Sequence, residues 1–526
     1  MKKGKVYLIG AGPGDPGLIT VKGLACLKKA DVVVYDHLAN EQLLSSAKEG
    51  AEILYVGKKG GEHTLSQEKI NAGIIAKAGE GKTVARLKGG DPFIFGRGGE
   101  EAEDLAKAGI PFEIVPGVTS AIGVPAYAGI PLTHRDFTST VAFITGHEDP
   151  TKEESKISWD KISTGVGTLV FLMGVGNLPT IASELMKNGR NPETPVALIR
   201  WGTLPEQETT IGTLSTIGGI ARSKKIKPPG IILVGEVVGL RDKINWFERL
   251  PLFGKKILVT RSREQASDLS ERLRDLGAMP IEFPTIEVIR PENWADADHC
   301  ASQVERYDWI IFTSVNGVKF FLDRLFALGR DVRDLKGPRV CAIGPKTAEA
   351  LQSLKIRVDF VPSKYQAESI FAGLQKENLK GKRILIPRAK VARDILPEEL
   401  RKAGALVDVV EVYRTIRPQR NTEEVKDLLR NGSILAITFT SSSTVSNFVE
   451  MVGRNEAREL TAGLTVASIG PITAEKARSL GIETTVMPKE FTIPALVEAL
   501  ADYFTAERAQ SAGMDFKIES KNRKGK

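Results

Sequence analysis

Three glycine-rich turns in the first half of the chain carry the residue types needed to hold a small molecule. They read GAGPGDPG at 10–17, KGGDPFIFGRGGEE at 88–101 and PGVTS at 116–120, and each follows a strand-like run. Glycines let a ligand approach the backbone closely, and the Asp91 carboxylate can accept hydrogen bonds from hydroxyl or amino groups. Three such turns in one region predict a small-molecule pocket at the ends of strands.

The first turn also fits the dinucleotide-binding pattern GxGxxG, with Asp36 at the end of the next strand. Pro13 and Pro16 argue against this interpretation, because proline has no backbone N–H to offer a pyrophosphate. We therefore predict a ligand without phosphates and keep an NAD-linked oxidoreductase as an alternative. From the residues alone, the favoured interpretation of Asp36 is a helix cap and that of Lys58 is a solvated turn residue.

The second half of the chain is a diverged repeat of itself. Three blocks recur with an offset of 126 or 127 residues, so chance is a poor explanation. The pairs are 254–261 (GKKILVTR) with 381–388 (GKRILIPR), 312–318 (FTSVNGV) with 439–445 (FTSSSTV), and 340–349 (VCAIGPKTAE) with 466–475 (VASIGPITAE). The FTS and IGP blocks have the form of strand-end turns before helices, where doubly wound sheets bind ligands. Two similar lobes facing each other predict a cleft.

Composition excludes several classes of function. The net charge of +8 is partly due to the last thirteen residues, and the rest forms no basic stripe interleaved with aromatics, so we expect no nucleic-acid partner. No apolar run approaches a membrane span, and the amino terminus lacks the form of a signal peptide. Three widely separated cysteines and five histidines without ligand spacing indicate a reducing cytoplasm and no metal site.

Alternating β-rich and helical stretches predict an α/β chain of several domains. The polar segment 147–160 divides the first of these, 1–245, into subdomains of about 1–130 and 131–245. We expect a linker over 246–253, although Trp246 and Phe247 should pack on a neighbour. A second α/β region then covers 254–505, and a polar, basic, disordered tail covers 506–526.

The motifs of the first half resemble uroporphyrinogen-III C-methyltransferase over about residues 3–245. The resemblance rests on the three glycine turns, VVVYDHL, YVGKKGG, IPLTHR (130–135), FLMGV (171–175) and ALIRWGT (197–203). It implies two α/β subdomains of the tetrapyrrole methylase fold around an S-adenosyl-L-methionine site, in a homodimer. It also implies two methyl transfers to the tetrapyrrole, which give precorrin-2 for siroheme and cobalamin.

The same resemblance implies roles for individual residues. Asp36 would be the proton acceptor and Lys58 the proton donor, while Arg97, His134 and Arg135 would bind substrate carboxylates. The residues implied to line the S-adenosyl-L-methionine site are Pro13, Gly89, Gly90, Asp91, Ile94, Thr119, Ser120, Met173 and Gly202.

The second half is similar to uroporphyrinogen-III synthase, on the repeated blocks together with VPSKYQAESI (361–370) and VYRT (412–415). The resemblance implies a two-lobed α/β fold, with one lobe from 254–288 plus 415–505 and the other from 289–412. It implies closure of hydroxymethylbilane with inversion of the last pyrrole ring and loss of water, without a cofactor. Tyr413 would help the hydroxyl group leave. The substrate-binding candidates are Arg261, Ser314, Arg388, Ser441, Ser442 and Thr473.

The combined interpretation is a bifunctional cytoplasmic enzyme in which the second half makes the substrate of the first. One alternative is a methylase of the same fold that acts on another substrate, with the second half serving only as a tetrapyrrole-binding module.

Overall fold

The computed structural model describes residues 3–57, 66–147, 157–261, 263–363, 367–391, 394–418 and 421–511. These residues form two compact units. The first contains the chain up to Lys255, with Leu273–Met279 and the residues from Phe504 onward. The second contains Lys256–Arg272 and Pro280–Tyr503. None of the helices in the described part of the chain is long and apolar enough to cross a membrane.

The first unit begins with a five-stranded sheet in the order β3-β2-β4-β1-β5, in which every pair is parallel. Its strands are β1 (Val6–Gly10), β2 (Val32–Tyr35), β3 (Glu52–Tyr55), β4 (Val84–Lys88) and β5 (Phe112–Val115). Because neighbouring parallel strands all run the same way, the turns after β4, β1 and β5 lie side by side at one edge. The helices of this part are α1 (Val21–Leu27), α2 (Gln67–Gly79), α3 (Gly98–Lys107) and α4 (Ser120–Tyr127).

A second, mixed sheet follows in the order β6-β7-β10-β8-β9. Only β6 and β7 pair in parallel; the other pairs are antiparallel. Its strands are β6 (Val141–Thr145), β7 (Thr168–Leu172), β8 (Pro195–Arg200), β9 (Glu208–Thr213) and β10 (Gly230–Val234), and its helices are α5 (Trp159–Gly165), α6 (Leu178–Lys187), α7 (Ile217–Ser223) and α8 (Arg241–Ile244). Buried apolar side chains cover both faces.

The segment predicted as a linker packs on the first unit. The Tyr127 ring lies 5.0 Å from the Trp246 ring and 4.8 Å from the Phe247 ring, centre to centre. The Trp246 indole N–H donates to the carbonyl of Ala126 (3.0 Å). The expected packing of both aromatic side chains is therefore confirmed.

The second unit contains two further sheets. The third sheet has the order β12-β11-β18-β19 and the fourth β13-β17-β16-β14-β15. The strands are β11 (Lys256–Val259), β12 (Met279–Glu282), β13 (Glu287–Ile289), β14 (Trp309–Phe312), β15 (Arg339–Ala342), β16 (Arg383–Ala389), β17 (Leu406–Ile416), β18 (Ala436–Phe439) and β19 (Thr465–Ser468).

Helices flank these two sheets. They are α9 (Arg263–Asp275), α10 (Ala295–Ser302), α11 (Val315–Ala327), α12 (Pro345–Ser353), α13 (Ala367–Leu374), α14 (Ile395–Lys402), α15 (Glu423–Arg430), α16 (Ser442–Val452), α17 (Arg454–Thr461), α18 (Pro471–Ser479) and α19 (Ile493–Ser511).

Two expected boundaries differ from the structure. The fourth sheet extends beyond 289–412, because β13 pairs antiparallel with the end of β17, Glu287 opposite Ile416. The tail predicted from residue 506 also begins too early, since α19 continues to Ser511 with Phe504 packed under the Lys255 ammonium group. Residues 512–526 lie outside the described part of the chain.

Candidate active sites

The three glycine turns meet where β1, β4 and β5 end. Gly12 N–H donates to the carbonyl of Gly90 (3.2 Å), and Gly90 N–H donates to the carbonyl of Gly12 (2.7 Å). A Cβ added to Gly117 would lie 2.4 Å from the Gly90 oxygen, and one added to Gly10 would lie 2.5 Å from the Gly117 Cα. Only glycine permits this approach, and Gly90 also needs its positive φ of 70°.

Asp91 ties two of these turns together. Its Oδ1 accepts from Phe93 N–H (2.8 Å), and its Oδ2 accepts from Gly117 N–H (2.9 Å). Thr119, the residue before α4, is buried and accepts a hydrogen bond from Ala121 N–H. The carboxylate predicted to bind a ligand therefore already has a structural role, with lone pairs still open on each oxygen.

The first glycine turn is held from a second direction by the loop after β8 and by α4. Asp15 N–H donates to Thr203 Oγ1 (3.0 Å), and the Tyr127 hydroxyl donates to Asp15 Oδ2 (2.6 Å). Pro13 lies against α4, where a Cβ on Gly123 would be 2.8 Å from its ring. Gly202 lies against Val124 of the same helix.

An open cavity of about 590 Å³ adjoins the turns, lined in part by Phe93, Phe95, Arg97, Thr145 and Met173. Phe95, Arg97 and Met173 have positive φ angles of 53°, 58° and 57°. Non-glycine residues held in this region are strained, and they concentrate at functional sites. The sequence does not predict these backbone conformations, because the residue types involved do not favour a left-handed backbone.

Two further left-handed residues, Trp201 (φ 49°) and Thr203 (φ 70°), flank Gly202. Thr203 is buried, and its N–H donates to the Gln207 side chain (2.9 Å). Thr203 was missed by sequence reasoning, although it joins the Gly202 loop to the first glycine turn.

Asp36 follows β2 at the same edge of the sheet. Its Oδ2 accepts from the Arg86 guanidinium (3.0 Å), and its Oδ1 accepts from Leu38 N–H (3.1 Å). The second bond closes a turn and does not cap a helix, which was the alternative that the sequence left open. The bond to Arg86 was not anticipated. Lys58 lies outside the described residues.

The substrate-binding candidates of the first half are not all brought together. Arg97 lines the cavity and forms an exposed ion pair with Glu100. His134 lies in the turn before β6, where its Nδ1 accepts from Asp136 N–H (3.2 Å), and the neighbouring Arg135 is exposed. Ile94 is partly exposed between Phe93 and Phe95.

In the second unit, four candidates lie at the ends of strands in the third sheet. Ser441 begins α16 as its cap, and the Ser442 hydroxyl reaches the carbonyl of Ile472 (3.4 Å), next to buried Thr473. Arg261 follows β11, where burial lowers the pKa of its guanidinium.

The other three candidates belong to the fourth sheet. The Ser314 and Tyr413 hydroxyl oxygens are 3.0 Å apart, and the Phe320 ring stacks on the Tyr413 ring. Arg388 pairs with Asp394. A cavity of about 240 Å³ lies beside them, lined by 389–391 and 414–416. Among the side chains that the structure describes, no three His, Cys, Asp or Glu residues are grouped as a metal site.

Comparisons with known proteins match each half separately. The profile of the family described as Tetrapyrrole (Corrin/Porphyrin) Methylases matches residues 5–218. The profile of uroporphyrinogen-III synthase matches residues 267–498. A relative from Ruminiclostridium josui, named porphyrin biosynthesis protein HemD, is 40% identical over 502 residues, which are 95% of this chain and 98% of that protein. The chain belongs to the tetrapyrrole methylase and uroporphyrinogen-III synthase families.

Two further comparisons concern the tetrapyrrole methylase half. An S-adenosyl-L-methionine-dependent uroporphyrinogen III methyltransferase from Methanosarcina barkeri is 56% identical over 239 residues, covering 45% of this chain and 94% of that protein. A solved uroporphyrin-III C-methyl transferase from Thermus thermophilus, complexed with S-adenyl homocysteine, is 40% identical and covers 45% of this chain and all of that one, with a TM-score of 0.39. The two family profiles and the Ruminiclostridium josui relative confirm both family resemblances seen in the sequence and, with them, the fold class.

Proposed function

We propose that the chain catalyses two consecutive reactions on tetrapyrroles. The synthase half closes hydroxymethylbilane to uroporphyrinogen III, with inversion of the last ring and loss of water. The methylase half transfers two methyl groups from S-adenosyl-L-methionine to that product, which gives precorrin-2 for siroheme or cobalamin. Membership of both families and the similarity to the Ruminiclostridium josui protein along nearly the whole chain support this assignment.

The observation that carries the methyltransferase proposal is the meeting of the three glycine turns. Their backbones approach so closely that any side chain would fill the space, and Pro13 and Pro16 leave few N–H donors for a phosphate. This arrangement fits the nucleoside part of S-adenosyl-L-methionine better than a pyrophosphate. The residues proposed to hold it are Pro13, Gly89, Gly90, Asp91, Ile94, Thr119, Ser120, Met173 and Gly202.

The methyl donor supplies an electrophilic methyl group, so this chain's residues must orient the tetrapyrrole and accept its proton. An electron-rich pyrrole carbon needs positioning more than activation. Asp36, partly exposed at the end of β2, is proposed to take the proton that the methylated carbon releases. Lys58 as proton donor rests on the resemblance alone, and Arg97, His134 and Arg135 are proposed to bind carboxylates.

In the synthase half, Tyr413 is proposed to assist loss of the hydroxyl group as water. Its phenol has the Ser314 hydroxyl within hydrogen-bond distance and is almost completely buried under Phe320. A proton can be passed to a leaving hydroxyl by a group held in this way. Arg261, Arg388, Ser441, Ser442 and Thr473 are proposed to bind the substrate's carboxylates.

An assay starting from hydroxymethylbilane tests both activities in one protein. Without methyl donor, the product should be uroporphyrinogen III, distinguished by chromatography from the isomer that forms spontaneously. With donor, its mass should increase by two methyl substitutions. Formation of uroporphyrinogen III without its dimethylated product would indicate that the methylase half acts on another substrate. Methylation of added uroporphyrinogen III without closure of hydroxymethylbilane would indicate that the second half only binds tetrapyrroles.

Calorimetry distinguishes S-adenosyl-L-methionine binding from NAD binding at the first glycine turn. S-adenosylhomocysteine should bind, whereas NADH should not. NADH binding without S-adenosylhomocysteine binding would overturn the methyltransferase proposal.

We also propose a homodimer formed through the methylase half and a cytoplasmic location. The three cysteines support the second point, because all are buried, unpaired thiols, and burial raises the pKa of Cys341 to about 12. Light scattering of the purified chain tests the first point, and a monomer at micromolar concentration would contradict it.

A further inference from the structure

A group of three buried charged side chains lies directly behind Asp36. Arg86 and Lys88 lie on β4, and Glu101 lies on α3. Their side chains are 4%, 6% and 1% exposed, whereas Asp36 is 22% exposed. The family resemblance assigned no role to Arg86, Lys88 or Glu101. Buried charges are costly unless they are paired, so this arrangement requires an explanation.

The Arg86 guanidinium is held at all three nitrogens. Its Nη2 donates to Asp36 Oδ2 (3.0 Å), its Nη1 donates to the carbonyl of Leu87 (2.8 Å), and its Nε donates to Glu101 Oε1 (3.3 Å). A planar guanidinium fixed at three points cannot rotate without breaking a bond. The direction of its bond to Asp36 is therefore set by the interior of the protein.

Glu101 is held in turn by its neighbours. Its Oε1 accepts from Lys88 Nζ (2.7 Å) and from the Gln67 side chain (3.0 Å) as well as from Arg86. Burial, followed by the Arg86 charge, lowers the pKa of Lys88, and the Glu101 charge opposes this shift. Arg86 and Lys88 thus pair with Glu101 in the interior, and Arg86 also pairs with the partly exposed Asp36.

We propose that Arg86 is a positioning residue for Asp36, held in its pose by the buried Glu101 and Lys88 pair. The inference rests on the proposed function, because it assigns Arg86 to the proton-accepting step of methyl transfer. Arg86 is too buried to contact substrate, so it acts only through Asp36. Each Asp36 oxygen receives one protein donor, which leaves a lone pair on each for the incoming proton.

A double-mutant cycle distinguishes positioning from general support of the fold. Arg86→Met should lower kcat for methyl transfer about 100-fold, the cost expected when a reacting group is displaced by about 1 Å. KM for uroporphyrinogen III and the Kd of S-adenosylhomocysteine should change less than about threefold. In an Asp36→Asn background, Arg86→Met should cause no further loss of kcat. Additive losses would overturn the proposal, as would a loss of S-adenosylhomocysteine binding as large as the loss of kcat.

Arg86→Lys provides the second variant, because it keeps the buried cation if Arg86→Met fails to fold. A lysine cannot reproduce three directed N–H bonds, so kcat should still fall at least about tenfold. Wild-type kcat in this variant would overturn the proposal. Absence of methyl transfer in the unaltered chain is a different failure, that of the proposed function, and full activity of Asp36→Asn would remove the role of Asp36 itself.

Discussion

The turns that end the strands are built in opposite ways in the two halves of the chain. In the methylase half, the turns after β1, β4 and β5 hold one another through backbone contacts and through Asp91. In the synthase half, the turns after β14 and β18 are each capped by a serine at the start of the following helix. The Ser314 hydroxyl accepts from Gly317 N–H (2.9 Å), and the Ser441 hydroxyl accepts from Thr444 N–H (3.3 Å).

This difference explains why one half carries dense motifs and the other does not. Turns that lock together tolerate only glycine where their backbones meet, so the sequence records each contact. A helix cap accepts serine, threonine, aspartate or asparagine with similar free energies. The methylase site is therefore recognisable from residue types, whereas the synthase site must be found from the repeat.

The largest effect is expected from a substitution that disrupts the close contact between two of the glycine turns. In Gly117→Ala, the new Cβ would lie 2.4 Å from the Gly90 oxygen, and backbone on both sides leaves nothing to move. Overpacking of this kind costs about 3 kcal/mol. Methyl transfer should be abolished, and amide hydrogen exchange in β1 and β4 should accelerate, while synthase activity is retained.

Two matched glycines show whether this loss is specific. A Cβ on Gly73 of α2 meets no atom within 4 Å, so Gly73→Ala should stabilise the first unit by about 0.5 kcal/mol. In the synthase half, a Cβ on Gly470 would meet only the Phe491 side chain at 3.1 Å, which can move. Equal damage from Gly470→Ala and Gly117→Ala would contradict the comparison between the halves.

The next largest effect is expected from the loss of a single hydrogen bond to the first glycine turn. Tyr127→Phe removes the hydroxyl that donates to Asp15 Oδ2 (2.6 Å). A hydrogen bond to a charged group contributes about 1.5 kcal/mol. We therefore expect about tenfold weaker binding of S-adenosylhomocysteine by calorimetry.

Tyr7→Phe is the matched control for this substitution. Its ring lies in β1, 4.8 Å from the Lys5 ammonium group, and phenylalanine retains that contact. Equal weakening by Tyr7→Phe and Tyr127→Phe would show that the bond to Asp15 does not hold the turn.

The positions of the strands in the first half could be predicted because short apolar runs alternate with helices. The pocket at their ends followed from glycines placed after those strands. The left-handed Phe95, Arg97 and Met173 could not be predicted, since tertiary contacts rather than residue type impose their φ angles. The role of Arg86 could not be predicted either, because a charged residue inside a strand gives no indication of its buried partners.

The repeat in the second half predicted two lobes but not how the repeated blocks are shared. The third sheet combines β11 from the first copy with β18 and β19 from the second. The fourth combines β14 and β15 from the first copy with β16 from the second. Each sheet thus contains one version of each repeated strand, in the same order. The family resemblance implied two chain crossings, whereas periodicity alone would assign one copy to each lobe.

A smaller effect compares the two repeated caps. Ser314→Ala and Ser441→Ala should each destabilise the second unit by about 1 kcal/mol, the usual cost of a lost cap. Only the Ser314 oxygen is also 3.0 Å from the Tyr413 hydroxyl. Ser314→Ala should therefore lower the synthase kcat severalfold, whereas Ser441→Ala should raise KM. Steady-state kinetics separates these results. The same change in both variants would show that the contact between Ser314 and Tyr413 does not affect the reaction.

The smallest effect concerns two partly exposed carboxylates, one in each unit, whose pKa values are both lowered to about 2. The Glu113 carboxylate is held by the ammonium groups of Lys5 and Lys22, which are distant in sequence and disperse on unfolding. The Asp331 carboxylate is held by Arg333, two residues away, which remains nearby in the unfolded chain.

Because folding lowers the pKa of Glu113, its contribution is complete above its ordinary pKa near 4.5 and is lost as pH falls towards 2. Glu113→Gln should therefore reduce the stability of the first unit at pH 7 and flatten its pH dependence below 4.5. Asp331→Asn should alter the pH dependence of the second unit less, because its partner is local in both states. Hydrogen exchange followed between pH 7 and pH 3 measures each unit separately. A larger change for Asp331→Asn would indicate that long-range contacts are no more important to the methylase half than local ones are to the synthase half.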